Sequence, residues 1–188
     1  ANPNIASTSG NPDLGPVVEL PPSSCSVGKL AELRKTYSIP NCIELRVPNI
    51  RENLDDPPPG FVSFYPQMFH RGVRLPLHPF IQRFLSAVNL APAQLSPNGW
   101  STVLGTYVLW WVLRDEDEDR LTVDQLLATH TVKASNEGEG RYYLSARRNV
   151  GQLIRNPSSN KNWKECWFLV LGDHQTSPRS ETKVRAVG

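Results

Sequence analysis

An α+β fold, helix-rich over its N-terminal two-thirds and closed by a small antiparallel sheet, is what this sequence predicts from three observations. Between residues 61 and 113 apolar side chains recur at helical spacing. Beyond residue 130 the pattern changes to short runs of aromatic and β-branched residues around a turn cluster, as strands and hairpins require. The N-terminal end is rich in Asn, Pro, Ser and Gly and the C-terminal end in polar and charged residues, both without apolar periodicity, so neither can bury enough surface to repay ordering. Residues 1–28 are therefore expected to be a flexible lead-in, 29–172 a single globular domain, and 173–188 a flexible tail.

Taken in order, Leu30, Leu33 and Tyr37 predict a first short helix after Ser26, stopped by Pro40. Ile43, Leu45 and Val47 alternate with polar neighbours, which is strand-like, and Pro48 closes the segment. Phe61, Phe64, Tyr65, Met68 and Phe69 fall on one helical stripe with Gly72 at the C-cap position. Pro66 lies inside that stripe, where a helix interior would lose about 3 kcal/mol, and fits instead the first turn of a shorter helix running to Arg71.

The next helix starts at Pro79 and carries Phe80, Ile81, Phe84, Leu85 and Val88 on one face. Ser96 with Pro97 announces another, bearing Trp100, Val103, Leu104, Tyr107, Val108 and Trp111. Leu109, Trp110 and Leu113 give this helix a second apolar face, so it is expected to be central and nearly surrounded. Phe80, Phe84, Leu104, Tyr107 and Trp111 should then be buried together. Thr122 and Gln125 form a capping box for a short helix, and 130–135, 141–146 and 166–171 read as the strands of the terminal sheet.

Composition narrows the function classes. The 188 residues suffice for one core, and a net charge of +2 is too mild to demand a nucleic-acid partner. No apolar run reaches the roughly 18 residues of a membrane span, and the first residues lack the basic start and apolar core of a secretory signal. The expected location is intracellular, cytoplasmic or nuclear. Cys25, Cys42 and Cys166 are an odd, widely spaced set without a CxxC pair, and they are expected to be structural.

Several segments together resemble one family. Ile39-Pro40 leading to Leu45-Arg46-Val47-Pro48, Pro57-Pro58-Pro59-Gly60-Phe61, Gly72-Val73-Arg74-Leu75-Pro76-Leu77-His78-Pro79-Phe80 and Ala91-Pro92-Ala93-Gln94-Leu95-Ser96-Pro97-Asn98-Gly99-Trp100 look like the N-terminal domain of plant gypsy-type transposon proteins. The likeness extends into Arg141-Tyr142-Tyr143-Leu144-Ser145-Ala146-Arg147 and Asn162-Trp163-Lys164-Glu165-Cys166-Trp167-Phe168. It implies a Gag-like, structural part of a retroelement polyprotein; the surplus of large aromatics between Trp100 and Trp111 points to an exposed apolar patch through which such a module associates with itself or with other parts of that polyprotein. The resemblance supplies no catalytic or binding residues.

The residues themselves give no catalytic, cofactor or metal set. No GxxxxGK[ST], HExxH, GxSxG or zinc-knuckle spacing occurs. The acidic run 115–119 invites comparison with two-metal nucleases, but adjacent carboxylates rarely converge on an ion, so it reads as a solvated loop. His78 is most simply a residue held extended before Pro79. From Lys133 onward ten basic residues face five acidic ones, a net +5. Tyr142, Tyr143, Trp163 and Trp167 are interleaved with them, as in surfaces that neutralise phosphates and stack bases. Arg141, Arg147, Arg148, Lys161 and Lys164 are accordingly the candidate RNA- or DNA-contacting residues. The leading expectation is a non-enzymatic, self-associating module with no membrane or small-molecule partner, and nucleic-acid binding is the alternative.

Overall fold

A computed structural model describes residues 22–114, 120–135, 140–148, 150–151, 154–155 and 162–172. Within them five α-helices and five strands form a mixed α+β fold: α1 Val27–Thr36, β1 Leu45–Arg46, β2 Phe61–Phe64, α2 Pro66–His70, α3 Pro79–Ala87, α4 Pro97–Leu113, α5 Val123–Thr129, β3 His130–Ala134, β4 Tyr142–Ala146 and β5 Phe168–Leu171.

The sheet is not confined to the C-terminal end. β5 lies between β1 and β2, antiparallel to both, with Leu45 opposite Val170 and Phe64 opposite Phe168. Two strands from the N-terminal third thus need a third from the far end of the chain to complete them. Phe168, Leu169 and Val170 are fully buried, as expected of a central strand covered on both faces. β3 and β4 form the separate antiparallel hairpin that their sequence predicts, with Val132 opposite Leu144.

The stripe from Phe61 to Phe69 is split rather than helical throughout. Phe61–Phe64 is a strand, Tyr65 is extended at φ −110° as a residue before proline prefers, and Pro66 begins the short α2. The shorter helix is therefore the one adopted. Gly72 closes α2 at φ +105°, with its own N–H donating to the Phe69 carbonyl and that of Val73 to Met68, a Schellman closure.

The other helix signals appear as expected. Ser26 Oγ accepts the Lys29 N–H, Ser96 Oγ accepts the Gly99 N–H, and Thr122 and Gln125 exchange capping-box bonds. The lead-in, however, ends earlier than residue 28. Ser23 Oγ donates to the Trp167 carbonyl at 2.5 Å and accepts its N–H at 3.0 Å, so residues 23–28 belong to the fold.

The core gathers α2, α3, the first half of α4 and β5. Phe80 and Phe84 of α3 are buried with Trp100 and Val103 of α4, whereas Leu104 and Tyr107 are half-buried against them. Trp111 does not join them: it is 51% exposed, because α4 runs past the elements that cover its beginning. The helix expected to be central is central only over its first half.

Candidate functional site

The basic third is rearranged by folding. Arg141 is not a surface residue: it is buried, and its Nη1 donates to Asp55 Oδ1 at 2.6 Å. Its charge is thereby committed to tying the β3–β4 hairpin to the loop before β2, and a guanidinium so enclosed cannot reach a phosphate. Trp163 and Trp167 are buried too, Trp163 meeting Tyr65 edge-on at 4.6 Å between ring centroids, so neither offers a stacking face.

Arg147 and Arg148 are exposed at the end of β4, where the Arg147 Nε donates to the Leu127 carbonyl. Lys164 lies 5.5 Å from the centre of the Trp163 ring. Lys161 falls outside the described residues, as does the acidic run 115–119. Of the interleaved aromatics only Tyr143 is exposed; it stands opposite Lys133 on the hairpin's outward face while Leu144 turns inward.

The most conspicuous surface is instead the end of α4. Val108, Trp111, Val112 and Leu113 are 57%, 51%, 69% and 71% exposed over the last two turns. Arg114 lies over the Trp111 ring at 4.0 Å, a cation–π contact that leaves the aliphatic neighbours uncovered. Earlier along the same helix Gly105 brings the backbone against Ile154, where an added Cβ would come within 2.8 Å of that side chain. Beyond that turn Thr106, Tyr107 and Trp110 still pack inward, so the uncovered surface is one side of the helix's last two turns.

A cleft of about 300 Å³ separates α1 from α2, lined by Lys29, Glu32 and Tyr37 on one side, Pro66, Gln67 and His70 on the other, and Cys166 in its wall. The Tyr37 hydroxyl and His70 Nδ1 bridge it at 2.8 Å. Cys166 interacts with Cys25 behind it. The hydrogen bond from Cys25 draws the Cys166 thiol down to about 7 against the effect of burial, with the charge of Lys29 and a bond from Ser24 assisting. Cys25 is pushed up, first by that same shared bond and then by burial. The sequence gives no hint of this pair, since the two cysteines lie near opposite ends of the chain and share no motif. The residues of known metal-ligand type do not gather elsewhere: among the described residues no three His, Cys, Asp or Glu side chains are grouped to hold an ion. No described helix is long and apolar enough to cross a membrane.

Comparison with known proteins adds one relative. A protein of Arabidopsis thaliana named as uncharacterized and chloroplastic is 24% identical over 158 residues, covering 82% of this chain. The matched region is only 19% of that relative's length. No protein-family profile matches the chain, and no solved structure matches it.

Proposed function

We propose that this chain is a non-enzymatic interaction module that associates with a second copy of itself through the end of α4. The observation that carries the reading is the run of exposed apolar side chains Val108, Trp111, Val112 and Leu113 on one helix end. A helix apolar on all sides is stable in water only when something covers it. A second copy supplies a cover of the same kind, because a two-fold contact sets one patch against itself. Antiparallel crossing is the favoured geometry. It separates the two acidic runs that follow α4 in sequence, whereas parallel stacking would bring like charges together.

Within the resemblance to plant gypsy-type transposon proteins, such a contact would serve the assembly of a Gag-like layer inside the cell, in the cytoplasm or nucleus. Other parts of the same polyprotein are the further partners that this reading includes. Light scattering on the purified chain across a concentration series tests it. The expected result is a dimer that persists as salt rises, since apolar burial is not screened by ions. The double variant Trp111→Ser/Leu113→Ser should be monomeric and melt where the dilute, dissociated parent does. A parent chain that stays monomeric at every concentration refutes the proposal.

One observation favours a second reading. Lys133, Tyr143, Arg147 and Arg148 are all exposed on or beside the β3–β4 hairpin, a small basic surface with one aromatic face for single-stranded RNA or DNA. It is narrower than the sequence predicts, because Arg141 and both tryptophans are withdrawn from it. Binding through it should weaken with salt at a slope of roughly −0.7 per phosphate contacted, and reversing Arg147 and Arg148 to Glu should abolish it.

A further inference from the structure

Of the three cysteines, two are brought together only by folding. The Ser24 N–H donates to the Glu165 carbonyl at 2.8 Å. On either side of that bond, Ser23 holds both the N–H and the carbonyl of Trp167. These bonds set residues 23–25 alongside 165–167, and the side chains of Cys25 and Cys166 meet across the join as free thiols. Cys25 is buried beneath the start of α1, whereas Cys166 is half-buried and opens into the cleft beside Lys29. Cys42 is exposed on the loop before β1.

The division of labour follows from placement. A thiol that opens to a cleft and faces an ammonium group is the one that attacks; its buried neighbour can be reached only from within. We propose that Cys166 is a reactive thiol that exchanges with small disulfides of the glutathione class, and that Cys25 resolves the adduct into a Cys25–Cys166 disulfide. In the first step the Cys166 thiolate attacks one sulfur of the small disulfide, forming a mixed disulfide and releasing one thiolate, which takes up a proton. In the second, the Cys25 sulfur attacks the Cys166 sulfur while its proton passes to the departing small thiolate, which leaves as the second thiol. The protein dithiol is oxidised by two electrons and one small disulfide is reduced to two thiols, so the exchange is balanced. The product ties the segment before α1 covalently to the start of β5.

Incubating the parent chain with oxidised glutathione, then digesting it and mapping the peptides by mass spectrometry, tests this. The expected product is a Cys25–Cys166 cross-link, reversed by dithiothreitol. Cys25→Ser should instead accumulate glutathione on Cys166, and Cys166→Ser should leave Cys25 unmodified. Iodoacetamide at neutral pH should consume Cys166 about fivefold faster than Cys42. Glutathione carried by Cys42 alone, or a Cys166 adduct that persists in the parent chain without forming the cross-link, overturns the proposal.

Discussion

The two halves of α4 are made of the same kinds of residue and meet opposite fates. Trp100 and Val103 in its first half are fully buried, while Trp111 and Leu113 in its second are 51% and 71% exposed. The first half is held at its start by the Ser96 cap, by the Ser96 N–H donating to the Tyr142 carbonyl of β4 at 2.8 Å, and by contact with α2 and β4. In the second half Thr106, Tyr107 and Trp110 still pack inward, and only the side bearing Val108, Trp111, Val112 and Leu113 is left uncovered. Burial is thus decided by what the rest of the chain places beside a helix, and apolarity only states what would be favourable.

Truncation breaks that comparison most sharply. Trp100→Ala should cost about 3–5 kcal/mol of stability, as large core deletions do, and Phe84→Ala the same. Trp111→Ala should stay within about 0.5 kcal/mol in the monomer, as surface substitutions do. Urea denaturation at low protein concentration measures all three. A large loss for Trp111→Ala would mean that the far half of α4 is covered within one chain.

Next in size is the tie that anchors β4, on which the first half of α4 rests. Removing the Asp55 charge leaves Arg141 buried and unpaired, so Asp55→Asn should destabilise by about 3 kcal/mol. Arg141→Met, which removes the charge and keeps much of the volume, should cost less than Asp55→Asn. The reverse order would show that the ion pair itself, rather than the stranded charge, sets the cost. Ser96→Ala is expected to cost about 1 kcal/mol by leaving the Gly99 N–H without its acceptor, and the Gly variant at the same position should recover most of it.

The smallest effect is a pH dependence spread over both regions. His78 caps α3 through its Nδ1 and meets the Tyr107 hydroxyl of α4 with its Nε2. Its pKa is lowered first by burial and then by the charges of Arg83 and Arg120. Burial also lowers that of His130, with the Leu126 carbonyl acting in the opposite direction. With the folded pKa below the unfolded value of about 6.5, the stability from each neutral ring is fully present above that value. It is lost as pH falls through the folded pKa. Melting temperature should therefore decline on acidification from about pH 7. His78→Asn, which retains a capping acceptor but does not titrate, should reduce that decline; an unchanged profile would assign the whole effect to other groups.

Local signals in the chain announced helix starts and stops reliably, because a cap is a contact between residues three apart. Ser96 with Pro97, Thr122 with Gln125 and the Gly72 closure all belong to this class, as does the β3–β4 hairpin. What local patterning misjudged was anything settled at long range. Phe61, Phe64, Met68 and Phe69 satisfy a helical period, yet Phe61–Phe64 became a strand because β5, from the other end of the chain, was there to pair with it. Arg141 looked like one member of a basic surface until Asp55 enclosed it.

By itself, then, the sequence determined the α+β composition, the capped ends of α2, α4 and α5, and an excess of apolar side chains along α4. Tertiary structure alone decided which of those side chains are covered, which basic residues remain at the surface, and that Cys25 and Cys166 touch. The reason is physical: a cap or a turn is specified by bonds within a few residues, whereas burial, ion pairing and thiol contact depend on which distant segment the folded chain brings alongside.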